Sequence, residues 1–429
     1  MCLPCSGVMY HDSAPNQDSK KRSTKERAIM PTPSTRSVQN AVSGGNPFAT
    51  PDMSMRDEWS MNWEHEEDER DRDDIQVEQG VSGGQSSGRI STLPGTRRNT
   101  GALLATQGYV VGIEISGSGA RQAVALADLN GNILYRARRP LDYVPDTEAV
   151  LELVDEMLAE ATSAERLSHG RVLRVGVAVG GLVDATQGIV RTLHHAHGWD
   201  NFPLQDYFAE RLNVPCIIDN NANAAALAEV KHGVGQGERI ALYVGLGRGI
   251  GGGLVANERI YHGTTCTAGE IGHMLVKEDG PKCSCGGFGH LEAIVSAQAI
   301  VRRMIGLSVE YPETEAAIRR VTGARAERIT AEQVFRLAVD GDAIARHIVE
   351  EVHTYLGIAL ANIVQLINPG MIILGGAVAQ AGDVLVEPLQ KRVRQLCLPA
   401  ASQSLRIVKG HLGTEANIVG AVTLALQDM

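Results

Sequence analysis

The chain has 429 residues, 43% hydrophobic and 21% charged, with a formal net charge of −10. That balance is ordinary for a globular protein, and its sign excludes a general attraction to nucleic acid or anionic membrane. Seven cysteines in so long a chain make no disulfide framework. No apolar run approaches the ~20 residues of a membrane span, and no charged-then-apolar leader pattern is seen; the expectation is a cytoplasmic protein.

Residues 1–88 contain one leucine, Leu3, and one phenylalanine, Phe48, amid Ser, Asn, Gly, Pro and charge. Such a segment cannot bury enough apolar surface to offset its ordering entropy, so a disordered tail is predicted there. Residues 89–108 read as a join into the first strand. An N-terminal lobe is predicted over 109–235. It opens with the apolar strand 109–115, the turn Ser116-Gly117-Ser118-Gly119, a second strand over 121–128 and the hairpin turn Asn130-Gly131. An amphipathic helix follows over 147–161, then a strand over 173–179 ending in Gly180-Gly181. A strand over 214–218 runs into Asp219-Asn220-Asn221-Ala222-Asn223, with a helix over 224–232.

A C-terminal lobe is predicted over 236–412. Its first strand, 240–246, turns at Gly247-Arg248-Gly249-Ile250-Gly251-Gly252-Gly253 into a second. Helices are expected over 292–305, 331–339 and 343–367, and a strand over 371–374 closes on Gly375-Gly376. Residues 413–429 carry a last helix, expected to pack back on the N-terminal lobe. Strands alternating with helices argue an α/β fold. A glycine-rich hairpin after the first strand of each half argues two related lobes around a cleft.

Cys283 and Cys285 stand two apart beside Gly286 and Gly287, with His273 upstream and His290 downstream. Two sulfur and two nitrogen donors suit a closed tetrahedral zinc site, and glycines let the backbone turn both sulfurs toward one ion. The alternative is two reduced thiols and two surface histidines.

Three stretches, in this order, resemble the ROK family of bacterial repressors, open reading frames and sugar kinases. They are the run from Asp219 through Asn223 to Glu229, the turn Gly247-Arg248-Gly249-Ile250-Gly251-Gly252-Gly253, and Gly269-Glu270-Ile271-Gly272-His273 followed by Cys283-Ser284-Cys285-Gly286 and Gly289-His290-Leu291-Glu292. The resemblance covers roughly 89–429. It implies the actin-like ATPase fold of sugar kinases, homodimers or tetramers, and a structural zinc on His273, Cys283, Cys285 and His290. The family usually has a third cysteine in place of His290. It further implies that Asn220, Asn221, Glu270, His273 and Glu292 face a sugar, whose hydroxyls both donate and accept. One departure stands in His194-His195-Ala196-His197-Gly198-Trp199, where Ala196 replaces a sugar-contacting asparagine.

The nucleotide side departs further. Family kinases use an aspartate as base where this chain has Asn221, and an amide cannot take a proton; loss of a general base typically removes ~10²–10⁴ in rate. The first phosphate loop, Asp-x-Gly-Gly-Thr in the family, reads Glu114-Ile115-Ser116-Gly117-Ser118, and the second has Arg248 between Gly247 and Gly249. The adenine-facing pair Gly375-Gly376 is kept. The expectation is a sugar-binding sensor or regulator with weak or no phosphoryl transfer, using ATP and magnesium only if it is a kinase. The rivals are an ATP-dependent hexose or N-acetylhexosamine kinase and a repressor with a cryptic DNA-binding head. Gly95-Thr96-Arg97-Arg98 through Gly112 resembles the repressors' join to their sugar domain. Residues 1–88 lack the core residues of a helix-turn-helix, so DNA binding is not expected.

Overall fold

The computed structural model describes residues 108–117, 121–141, 146–167, 170–193, 196–323 and 325–429. The tail, the join up to residue 107, Ser118 and the pair His194-His195 lie outside these. Among the described residues, two five-stranded sheets share one plan. The first is ordered β3-β2-β1-β4-β7. Its strands are β1 (Gly108–Ile115), β2 (Arg121–Asp128), β3 (Ile133–Pro140), β4 (Arg171–Val179) and β7 (Cys216–Asn220). β1, β2 and β3 form an antiparallel meander, whereas β1, β4 and β7 run parallel. A small hairpin of β5 (Leu182–Asp184) and β6 (Ile189–Thr192) sits apart. The second sheet is ordered β10-β9-β8-β11-β12. It repeats the pattern with β8 (Ile240–Leu246), β9 (Ile250–Ala256), β10 (Arg259–Ile260), β11 (Met371–Gly375) and β12 (Arg406–Lys409).

Each sheet is covered on both faces, which is why its strands read as continuous apolar runs rather than alternating ones. On the first sheet, Val111, Ile113 and Ile115 point into a core with α1 (Thr147–Ala161) and α2 (Leu204–Leu212). On the second, Leu242, Val244 and Leu246 face a larger core. That core holds α4 (Ala297–Ser308), α5 (Pro312–Thr322), α6 (Ala331–Val339), α7 (Ala343–Ile367) and α8 (Asp383–Leu396).

Between the sheets lie α3 (Asn221–His232) and α9 (Ala416–Leu426). Ala222, Ala225 and Ala226 of α3 pack on Ala241, Tyr243 and Val255 of the second sheet. Ile418 and Val422 of α9 pack on Val110 and Ala123 of the first. These helices approach backbone to backbone. A Cβ on Gly176 of β4 would stand 2.0 Å from the Ala421 carbonyl oxygen, and one on Gly253 of β9 would stand 2.3 Å from that of Ala222.

Several boundaries differ from the sequence reading. Val214 falls in the cap just past α2 rather than in the strand, because Asn213 turns left-handed (φ 51°) and the Val214 amide bonds back to Ala209. The strand therefore starts later and runs on to Asn220, which caps a helix that starts at Asn221 rather than at 224. The helix expected over 292–305 breaks at Ser296, whose extended backbone lets its hydroxyl accept from the Ala299 amide. The sequence reading did not single out α2, α5 and α8. No helix among the described residues is long and apolar enough to cross a membrane.

Gly176→Ala drives a Cβ into backbone that has no room to move, and overpacking of this kind costs about 1–3 kcal/mol or more. The measured Tm should drop by several degrees. Gly306→Ala is the matched control. It sits in α4 with nothing within 4 Å of the new methyl, and the Ala-for-Gly exchange should stabilise by up to about 1 kcal/mol.

Candidate functional site

The C-terminal end of β7 and the first turn of α3 form one wall. Asn220 ends the strand and caps the helix: its Oδ1 accepts from the Ala222 amide at 2.7 Å, and its Nδ2 donates to the Gly181 carbonyl at 2.8 Å. Asn221 is the first helical residue and half-buried. Its side-chain nitrogen would lie 3.4 Å from a Cβ placed on Gly180. Asp219, two residues before Asn221, is buried, and its carboxylate is occupied. Oδ1 accepts from the Asn220 amide at 2.7 Å and from Asn223 Nδ2 at 2.8 Å. His262 Nε2 donates to Oδ2 at 2.7 Å, the carboxylate being acceptor only. That hydrogen bond holds the His262 imidazole above its usual range, against the opposing effect of burial.

The opposite wall is the segment leading to Glu270 and His273. Gly269 has φ 94°, and a Cβ there would stand 2.2 Å from the Gly252 carbonyl oxygen, so this segment lies against β9. A single 3₁₀ turn, Ile271–His273, brings His273 Nε2 to 4.0 Å from Glu270 Oε2. The other ring nitrogen, Nδ1, lies 3.7 Å from Cys283 Sγ, and Cys285 Sγ lies 3.2 Å from His290 Nδ1. One donor atom from each of these four residues falls within 4.8 Å of the others. A tetrahedral ion with bonds of ~2.0–2.3 Å needs donor-to-donor edges of ~3.3–3.8 Å. Two observed edges, 3.7 Å and 3.2 Å, already approach that range, and the others stay within 4.8 Å. Gly286, at φ 91°, allows the turn that brings the two sulfurs together. Burial pushes the Cys283 thiol up, a penalty that a bound cation would offset by holding a thiolate.

Glu292 joins the loop of Cys283 and Cys285 to the β8–β9 hairpin. Its Oε1 accepts from the Ser284 hydroxyl at 2.9 Å and lies 3.7 Å from Cys283 Sγ; its Oε2 accepts from the Ile250 amide at 3.0 Å. The hairpin tip is further tied by Gly247 N to Gly249 O at 3.0 Å and by Ala297 N to Gly247 O at 2.9 Å. Arg248 is exposed on this tip.

At the β1–β2 turn, Glu114 is buried, which pushes its carboxyl up; Asn417 Nδ2 donates to it at 2.8 Å and Arg138 lies 3.9 Å away. Ser116 is clamped by the buried Gln122. Its amide donates to Gln122 Oε1 at 2.9 Å, and its carbonyl accepts from Gln122 Nε2 at 3.1 Å. Gly117 follows it, half-buried. Gly375 and Gly376 have a packing reason of their own. A Cβ on Gly375 would stand 2.0 Å from the Tyr243 hydroxyl, and one on Gly376 would stand 2.6 Å from the backbone of Leu246.

Sequence reasoning missed His262, Gln122 and the bridging role of Glu292. Each acts through a partner far along the chain or on another strand, where spacing carries no signal.

Comparison with known proteins agrees with this layout. The ROK family profile matches residues 110–428. A glucokinase from Halalkalibacterium halodurans is 32% identical over 322 residues, covering 74% of this chain and 95% of that protein. A xylose repressor from Caldicellulosiruptor bescii is 25% identical over 365 residues, covering 84% and 87%. The crystal structure of a ROK family glucokinase from Streptomyces griseus, in complex with glucose and AMPPNP, matches with a TM-score of 0.64 at 28% identity, covering 74% of this chain and 99% of that one.

Glu292→Ala removes a charged acceptor from the Ile250 amide, a bond of the kind worth about 1.5–3 kcal/mol. Hydrogen exchange at the 247–250 tip should quicken by roughly tenfold or more, with α9 unchanged. An unaltered tip would show that Glu292 does not hold it.

Proposed function

The chain belongs to the ROK family, and on that premise we propose that it is a sugar-binding sensor or regulator of the repressor branch, with little or no phosphoryl transfer. It has the actin-like ATPase fold of the family's sugar kinases. The observation that carries the proposal is that described backbone amides in both phosphate loops already have partners within the chain. The Ser116 amide is held by Gln122, the Gly247 amide by Gly249 and the Ile250 amide by Glu292. Backbone donors with acceptors at hand have less to offer a nucleotide's phosphates. Glu114 is buried against Asn417 and Arg138, where a magnesium-facing carboxylate would need to be open. Asp219 is poorly placed to replace the missing base at Asn221, because its oxygens are taken by Asn220, Asn223 and His262.

The sugar side has the polar groups such a ligand needs. Asn220, Asn221, Glu270, His273 and Glu292 come from elements on both sides of one cleft. Zinc on His273, Cys283, Cys285 and His290 would fix the His273 ring from behind and leave its Nε2 toward Glu270 and the sugar. Two thiolates and two neutral imidazoles make that centre neutral overall. The repressor match is longer than the glucokinase match, 365 residues against 322. Since the family domain ends at 428, the added length lies ahead of residue 110, and this supports the repressor branch.

The second reading is an active hexose kinase. It is favoured by the 95% coverage of the Halalkalibacterium halodurans glucokinase at 32% identity.

A coupled ATP-consumption assay over a hexose and N-acetylhexosamine panel, run beside calorimetry, separates the two. The expected result is binding of at least one sugar with turnover near background. Asn221→Asp alone should raise turnover only slightly, and the addition of Ser116→Gly and Arg248→Thr should raise it much further and non-additively. Wild-type turnover on the order of 1–100 s⁻¹, common for kinases, would replace the sensor reading with the kinase reading. Purified protein should also hold close to one zinc per chain. Cys283→Ser should lower both metal content and Tm, because structural zinc contributes folding energy directly; metal-free protein of undiminished Tm would remove zinc from the proposal.

A further inference from the structure

The pair Asp219 and His262 belongs to neither the sugar contacts nor the metal set, yet it joins the two walls of the cleft. Asp219 is the penultimate residue of β7 in the first sheet, and His262 follows β10 in the second. Asp219 is 3% exposed, and His262 is the one of its three partners able to carry a positive charge, the others being the Asn220 amide and the Asn223 side chain. A buried carboxylate served only by neutral donors is costly, whereas a cationic donor compensates it.

His262 also marks the start of the segment that ends at Glu270 and His273. The segment bends back on itself there, with the Ala268 amide donating to the His262 carbonyl at 3.1 Å. It touches the first lobe again at Cys266, whose Sγ lies 3.8 Å from Asp184 Oδ1. From there it runs onto β9 through Gly269.

We infer that Asp219 and His262 form a positioning strut for the cleft, which holds the 262–273 segment, and with it Glu270 and His273, in register with Asn220 and Asn221. The consequence for ligand affinity rests on the reading of this cleft as a sugar site; the strut itself does not.

The neighbouring charges leave Asp219 as the group that acts on His262. The first turn of α3 offers only Asn221 and Asn223. Asp184 on β5 is held by Thr186 and Arg191. On the β9–β10 hairpin, Glu258 pairs with Lys231 and Arg259 with Asp428. Glu270 stands beside His273.

The sign follows from the raised imidazole. With the strut formed, His262 titrates above its ordinary value of 6.5. The charged contribution is therefore fully present below about pH 6.5 and is lost as pH rises through the raised value. A neutral imidazole still donates to Asp219, so the segment loosens and is not released. The expected change is roughly threefold to tenfold, the difference between a charge-assisted and a neutral hydrogen bond.

Amide hydrogen exchange of the full chain at pH 6 and pH 8.5, corrected for intrinsic rates, tests this without any sugar. Residues 262–273 should exchange about threefold to tenfold faster, relative to α9, at the higher pH. His262→Gln should show the faster exchange at both pH values. Calorimetry with the sugar panel on the same two proteins should show wild-type Kd rising with pH and the variant's Kd weak and flat. Equal protection at both pH values in the wild type would overturn the strut, as would a pH dependence that persists in His262→Gln. The expected exchange pattern with no sugar bound would keep the strut and discard the sugar reading. If His262→Gln fails to fold, the wild-type pH profile still decides.

Discussion

The described fold depends on the burial of one small-residue helix. Nine consecutive residues of α3, Ala222 through Val230, are buried, an environment that a surface helix with one polar stripe never meets. The helix is wedged between the second sheet and α9, which itself lies on the first sheet. Only short side chains allow contacts at backbone distance, and they come from both partners: Gly253 faces Ala222, and Gly420 would place a Cβ 2.3 Å from the Ala224 carbonyl oxygen. Glu229, fully buried on the same helix, accepts from the amides of Val234 and Leu412. It thereby fixes the exit of α3 to the approach of α9. The first turn of α3 carries Asn221 and is capped by Asn220, so the same packing that joins the lobes also places the candidate ligand groups.

Much of this was legible in the residues. Strands β1, β4, β8 and β11 are short apolar runs bounded by glycine, and α1, α6 and α7 have the apolar period of packed helices. That His273, Cys283, Cys285 and His290 cluster was legible from their spacing, and the structure brings one donor atom of each within 4.8 Å of the others. Other features had no local signature. Pro312 opens α5 and Pro388 lies within α8, which obscures helices otherwise well patterned. Ser296 breaks one predicted helix in two because its hydroxyl offers the backbone an alternative partner. The start of α3 was misplaced because Asn at a strand end reads as a turn, although here it is a cap.

The site divides along the same line. Which residues are candidates for it can be read from motif order. What those residues are bonded to cannot. Glu292 looks in sequence like one more ligand contact; in space its two oxygens serve different loops, so the Cys283–Cys285 turn and the hairpin with Arg248 share a single carboxylate. Gly375 and Gly376 look like a nucleotide signature, yet the packing of Tyr243 and Leu246 requires them whether or not a nucleotide binds. Retained glycines are therefore weak testimony for catalysis in this fold, and the state of the backbone amides is stronger testimony.

The placement of α9 bears on synthesis. The first sheet is covered on one face by residues 416–426, which emerge roughly three hundred residues after β1. Until then Val110, Gly112 and Ala123 face water, and the first half of the chain has half of its core open. Closing that gap joins the most distant parts of the domain in sequence, the kind of contact that slows folding. A nascent chain must therefore wait with its earliest sheet exposed, a period in which chaperones have an apolar face to hold and a truncated message would yield a product unable to close it.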